Sequence, residues 1–104
     1  MTPLVRSRNG VPIRLTAERW SHIVEEHCEL AGMRNEVLEV VSDAERVVAG
    51  QAGELLALRL VEQDKALVVV YREALHDDGF IITAFLTRRL ASIDRRQQIW
   101  PPKR

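Results

Sequence analysis

Residues 54–87 read ELLALRLVEQDKALVVVYREALHDDGFIITAFLT, a run that predicts three neighbouring β-strands. Apolar, β-branched and aromatic residues dominate three segments, which are 54–61, 65–73 and 80–87. The link Glu62-Gln63-Asp64 and the loop 74–79 are short and polar. Consecutive strands with such links are typical of an antiparallel meander.

The chain before this run has the 3.6-residue period of helices. Thr16 stands where a helix N-cap is expected, so a first helix is predicted from there to about Leu30, and a second over about 35–44. A brief strand at 47–49 completes the predicted sheet. We therefore expect an α+β domain, with two N-terminal helices packed on a four-stranded antiparallel sheet and a short C-terminal helix or tail.

Length and composition predict a single domain over residues 1–104. The longest apolar run, 66–71, is far shorter than the roughly 20 residues that cross a membrane, and no secretory signal pattern is visible. The lone Cys28 excludes an internal disulfide framework and fits a reducing compartment. The expected location is the cytoplasm.

The net charge is zero, but the charges are unevenly distributed along the chain. Residues 16–54 are rich in acids, whereas the C-terminal tail, residues 89–104, is basic. Such a tail could form a surface that attracts phosphate. The alternative is a solvated tail without a partner.

Alternation along the strands sorts side chains onto two faces of the sheet. The wholly apolar face, which includes Leu56, Ala84 and Leu86, is expected to lie under the helices. The open face would then present polar side chains. These are Arg59, Thr83 and Thr87, together with either Tyr71 or Arg72. Such donors can bind a phosphate, although a half-solvated sheet face also commonly carries Thr and Arg.

Two histidines lie on the first predicted helix. His27 continues an apolar stripe with Trp20, Ile23 and Val24, where it is a candidate proton carrier or a core histidine with satisfied nitrogens. His22 lies on the polar side. The two are five residues apart, about 140° around a helix, and no other metal-ligand or Gly-rich phosphate motif is present. Catalysis, if present, is expected to need no metal or cofactor.

Four motifs occur in an order that resembles a known family: RLTAERWSHIVEEH, ELLALR, LVVVYR and DGFIITAFLT. The chain is similar over about residues 12–88 to the phage-type members of the Barnase–EndoU–Colicin–RelE-like nuclease superfamily, which are small toxin-like ribonucleases. One departure is Cys28, since the family commonly has proline after this histidine.

The resemblance implies a metal-independent endoribonuclease that cleaves single-stranded or looped RNA by attack of the ribose 2′-hydroxyl. The catalytic residues it implies are His27, Arg59, Tyr71, Thr83 and the accompanying His22. The implied substrate-binding residues are Arg72, Thr87, Arg88 and Arg89. The implied partners are RNA and a small antitoxin protein, with the oligomeric state open. The alternative is a non-catalytic module that binds protein or RNA.

Overall fold

The computed structural model describes residues 3–102, and within this range seven strands form one mixed sheet that packs with three α-helices. The strands are β1 (Leu4–Arg6), β2 (Pro12–Arg14), β3 (Arg46–Ala49), β4 (Leu55–Glu62), β5 (Lys65–Leu75), β6 (Asp78–Thr87) and β7 (Gln98–Trp100). The helices are α1 (Ala17–Glu26), α2 (Arg34–Ser42) and α3 (Leu90–Asp94), and a 3₁₀ turn, Cys28–Leu30, separates α1 from α2.

The sheet order is β1-β2-β6-β5-β4-β3-β7, with every pairing antiparallel except the parallel pair β2–β6. The expectation of two helices on a four-stranded antiparallel sheet is therefore wrong. The three predicted strands of 54–87 and the brief strand at 47–49 are present. β1 and β7 were not predicted, whereas β2 lies in residues 11–15, where Pro12 favours extended backbone but for which no place in the sheet was predicted. Each of these three strands has three residues, too few to display an alternating pattern, and each is stabilised by pairing with a distant segment.

The basic tail is structured as far as residue 102. Its predicted helix is the five-residue α3, and the chain then continues into β7, which pairs with β3 at the sheet edge. The last two basic residues, Lys103 and Arg104, lie outside the described residues. Removal of the tail would therefore also remove an edge strand.

Helix α1 begins at the predicted cap and ends earlier than predicted. The Thr16 side chain accepts a hydrogen bond from the amide of Arg19 (3.0 Å), as an N-cap does. The last helical residue is Glu26, because His27 has φ −132° and ψ 70° and leaves the helical conformation. His27 is thus a helix C-cap and does not continue the apolar stripe through the helix interior.

Both faces of the central sheet are covered. Ala66, Leu67, Val68 and Val69 are consecutive in β5 and all have 0% exposure. One face packs against α1 and α2, with a core that includes Leu67 and Val69; the other packs against α3, with a core that includes Ala66 and Val68. We call these the α1/α2 face and the α3 face.

A β-bulge in β6 changes which residues share a face. Val70 pairs with Thr83, but the next residue, Tyr71, pairs with Ile81, so Ile82 is an extra residue in β6. As a result Ile81 and Ala84 lie on the same face. The regular alternation expected for this strand is wrong, since it placed those two on opposite faces.

Arg8 connects the two edges of the sheet. Its guanidinium donates hydrogen bonds to the carbonyl oxygen of Ala44 (2.8 and 3.2 Å) and to Asp43 (2.9 Å). Its Cζ lies 4.0 Å from the ring centroid of Trp100, in a cation–π contact. Arg8 follows β1 and Trp100 is in β7, so these opposite edge strands approach each other and the sheet curls around α2.

We expect Arg8→Ala to lower the free energy of unfolding by about 2 kcal/mol, because it leaves the Ala44 carbonyl without its donor and removes the Trp100 contact. Urea denaturation measures this. The control is Arg19→Ala on exposed α1, expected to change stability by less than about 0.5 kcal/mol. Equal effects of the two substitutions would contradict a role for Arg8 in joining the edges.

Candidate functional site

The candidate site is centred on His27, at the point where α1 ends beside β6. The imidazole ring contacts Phe85, with a centroid separation of 6.1 Å and an interplanar angle of 39°. The His27 side chain is 32% exposed, and its Nδ1 lies 3.8 Å from Oε2 of Glu29. The ring is therefore held on one side by an aromatic neighbour and remains accessible to a ligand on another.

Thr83 lies two residues from Phe85 on the same face of β6. Cross-strand partners share a face, and the partners of these two residues, Val70 and Val68, belong to the α3 face. The Oγ1 atom of Thr83 is buried and has no hydrogen-bond partner within residues 3–102. A buried hydroxyl without a partner is destabilising, so a ligand that reaches it would gain a hydrogen bond at little cost to the protein.

Two further candidates lie at the end of β6. The Oγ1 atom of Thr87 accepts a hydrogen bond from the backbone amide of Arg89 (3.0 Å) and so helps to turn the chain into α3. Arg88 donates to the carbonyl oxygen of Gln63 (3.2 Å) and to Glu62 (3.3 Å). The Arg89 guanidinium makes no hydrogen bond or ion pair within the described chain, so it is the cation most available to a ligand here.

Arg72 also lies on the α3 face, but its guanidinium is engaged. Nη2 donates to the carbonyl oxygen of Ala52 (2.8 Å), and the β3–β4 turn passes directly over it at Gly53, which has φ +89°. The Ala52 amide donates to Glu54 (2.7 Å), and this hydrogen bond holds the pKa of the Glu54 carboxyl below its usual value. Arg72 therefore organises a turn in this structure.

Tyr71 does not belong to the candidate site. It is fully buried in the core beneath α1 and α2, and its hydroxyl has no partner among residues 3–102. Burial raises the pKa of this phenol above its ordinary value, and the nearby Glu73 carboxylate raises it further. A substrate cannot reach this hydroxyl without opening the core, so the structure does not bring Tyr71 together with the other candidate residues.

Arg59 lies on the face opposite Thr83. Its cross-strand partner is Leu67, a core residue of the α1/α2 face, and it lines a cavity of about 250 Å³ together with Glu36 and Glu39 of α2. The expectation that Arg59 and Thr83 share an open face is therefore wrong. Both faces of the sheet carry apolar side chains that are buried. Alternation along a strand therefore does not identify which of the two faces the long helices cover, and Arg59 was assigned to the wrong one.

His22 is an exposed residue of α1. Its side chain is 61% exposed, and Nδ1 lies 4.0 Å from Glu25. It faces solvent, as the helical pattern predicted for the polar side.

Two residues of the site were absent from the sequence-based set. Phe85 could have been found, because it alternates with Thr83 and Thr87, which were both selected. Glu29 carried no signal, because its approach to His27 depends on the turn Cys28–Leu30 that replaces the predicted end of the helix.

Comparisons with known protein families, with curated proteins and with solved structures found no match. No helix within residues 3–102 is long and apolar enough to span a membrane. The same part of the chain holds no group of three or more His, Cys, Asp or Glu side chains arranged to hold a metal ion.

We expect Tyr71→Phe to leave the stability near pH 7 unchanged or slightly raised, because the hydroxyl it removes has no partner. The two proteins should diverge above about pH 10, where the unfolded phenol ionises but the folded one does not. The folded pKa is raised, so the stability of the wild type falls as pH rises, by up to about 1.4 kcal/mol per pH unit. Urea denaturation between pH 7 and 11 measures both effects; parallel pH profiles would contradict the burial of Tyr71.

Proposed function

We propose that this protein is a metal-independent endoribonuclease whose reaction centre is His27, Phe85 and Thr83. The observation that carries the proposal is an accessible imidazole held beside a sheet face on which a threonine hydroxyl lacks a partner. The resemblance to toxin-like ribonucleases supports it, since all three residues lie within two of the four motifs that carry that resemblance. The proposal does not need Arg59 or Tyr71 at the phosphate.

The imidazole of His27 acts as the general base. It takes the proton of a ribose 2′-hydroxyl, the 2′-oxygen attacks the adjacent phosphorus, and the bond from phosphorus to the 5′-oxygen breaks. Water protonates the leaving 5′-oxygen, and the resulting hydroxide takes the proton from the His27 imidazolium, which regenerates the base. The products are a 2′,3′-cyclic phosphate and a 5′-hydroxyl. Glu29, whose Oε2 lies 3.8 Å from Nδ1, stabilises the imidazolium while it exists.

Thr83 and Arg89 stabilise the charge that develops on the phosphate. The Thr83 residue is partly exposed although its hydroxyl is buried, and in this proposal the hydroxyl changes χ1 rotamer on substrate binding and donates to a non-bridging oxygen. Arg89 supplies a cation that no other described group engages. Phe85 offers an aromatic surface for a base of single-stranded RNA, whose sugar can reach in-line geometry.

We propose further that the enzyme works in the cytoplasm as the toxin of a toxin–antitoxin or phage-associated system, with a small antitoxin protein as its partner. The single cysteine, Cys28, is unpaired and exposed, which fits a reducing compartment. Expression of the wild type in a bacterium should arrest growth and degrade RNA. Harmless expression with intact RNA would favour a non-catalytic binding module.

His27→Ala should lower the rate of RNA cleavage by about 10²- to 10⁴-fold, the usual contribution of an acid–base residue. The melting temperature should change little, because the side chain is partly exposed and leaves no buried partner unpaired. The matched control is His22→Ala, on the exposed side of the same helix, which should remain active. Loss of activity in the His22 variant alone would reassign the proton carrier to His22.

Thr83→Val separates a role in cleavage from a role in folding. The substitution keeps the side-chain shape and removes a hydroxyl without a partner, so stability should be unchanged or higher. Cleavage should fall by about 10²-fold if this hydroxyl stabilises the transition state. Tyr71→Phe, which removes the other unpartnered hydroxyl, serves as the control and should cleave at the wild-type rate. Equal activity of both variants would exclude Thr83 from the reaction.

A further inference from the structure

A second concave surface lies beyond α3, on the chain that leads into β7. It is a shallow, open cleft of about 690 Å³. Its lining consists of Asp94, Arg95, Arg96, Gln97, Gln98, Ile99 and Pro102. None of these residues takes part in the reaction proposed above.

The cleft has a positive charge that its one acid does not cancel. The Asp94 carboxylate is paired with Arg46 (2.8 Å), outside the cleft lining. Arg96 makes one long hydrogen bond, from Nη1 to the carbonyl oxygen of Ala49 (3.4 Å). Arg95 is exposed, and its guanidinium makes no hydrogen bond or ion pair within residues 3–102. The Arg95 guanidinium therefore has donors available for an anion, whereas Arg96 is partly engaged by the Ala49 carbonyl oxygen and by the charge of the Glu54 carboxylate.

The remaining lining residues suit a ligand that is both anionic and partly apolar. The exposed Gln97 has an amide that can donate and accept hydrogen bonds, whereas the Nε2 atom of Gln98 is engaged with the carbonyl oxygen of Pro101 (2.8 Å). Ile99 and Pro102 contribute apolar surface. Guanidinium donors beside apolar surface match the phosphates and the sugars of a nucleic-acid strand.

The cleft lies close along the chain to Arg89, the cation of the proposed reaction. Arg89 and Arg95 flank the two ends of the five-residue α3, and at the helical rise the six steps between them span roughly 9 Å. A few nucleotides cover that distance, so one strand can contact both arginines.

We infer that this cleft binds the sugar-phosphate backbone of the RNA strand next to the cleavage position. The nature of the ligand rests on the proposed function, whereas the charge and shape of the cleft do not. The basic tail thus acts as a folded subsite for the strand.

The test measures binding without cleavage. A 12-nucleotide 2′-O-methyl RNA labelled with fluorescein cannot be cleaved, since its 2′-oxygen is blocked. Fluorescence anisotropy gives its Kd with the wild type and with Arg95→Glu at several salt concentrations. We expect about tenfold weaker binding for the variant, the loss of one charge-assisted contact, and a salt slope smaller by about 0.7.

Arg19→Glu is the matched control, because it makes the same charge change at an exposed position on α1 and should bind within about twofold of the wild type. Thermal melting checks that both variants are folded. Equal Kd values for the two variants would overturn the inference.

The cleavage assay on unmodified RNA distinguishes this failure from failure of the proposed function. If the wild type does not cleave RNA but its binding depends on Arg95, the cleft stands as an RNA-binding site, and the nuclease proposal fails together with the position of the cleft beside a cleavage point. If RNA is cleaved and Arg95→Glu binds normally, the nuclease proposal stands and the cleft assignment fails.

Discussion

The central strand β5 is buried on both faces, and the rest of the architecture depends on this constraint. Four consecutive residues, Ala66–Val69, have no exposure, so apolar cover is needed on each side of the sheet. The long helices α1 and α2 cover one side, and the short α3 covers part of the other. The curl that Arg8 stabilises by joining the edge strands wraps the sheet around α2 and closes the larger core.

The β-bulge at Ile82 connects this packing to the candidate site. Beyond the bulge, Ala84 and Leu86 lie on the α1/α2 face, while Thr83 and Phe85 lie on the α3 face beside the end of α1. Bulges are common next to active sites because they re-aim side chains. Thr83, the residue after the bulge, has a hydroxyl without a partner among residues 3–102, and Phe85, two residues further on, contacts the ring of His27.

The proposed chemistry needs few groups because the nucleophile belongs to the substrate. An accessible base, one hydrogen-bond donor and one or two cations are sufficient for attack by a 2′-hydroxyl. The charge distribution is consistent with this role, since the arginines that follow β6 lie on segments flanking α3, whereas many of the acids lie on α1, α2 and the turns beside them. A chain of zero net charge can thus present a basic surface to a nucleic acid.

Local patterns were enough to predict the helix cap at Thr16, the three strands of 54–87, and the placement of Thr83 and Thr87 away from the long helices. Each of these depends on neighbours in the chain, such as a side-chain cap or an alternating run. Two features depend on contacts between distant segments: the pairing of β1, β2 and β7, and the face on which Arg59 and Tyr71 lie. The approach of Glu29 to His27 depends on the 3₁₀ turn that ends α1 early, for which the sequence pattern carried no signal. Local patterns do not determine strand pairing, the bulge or the packing of the two faces. The central strands are apolar on both faces, so several registers would bury similar residues, and contacts across the whole folded chain select one of them.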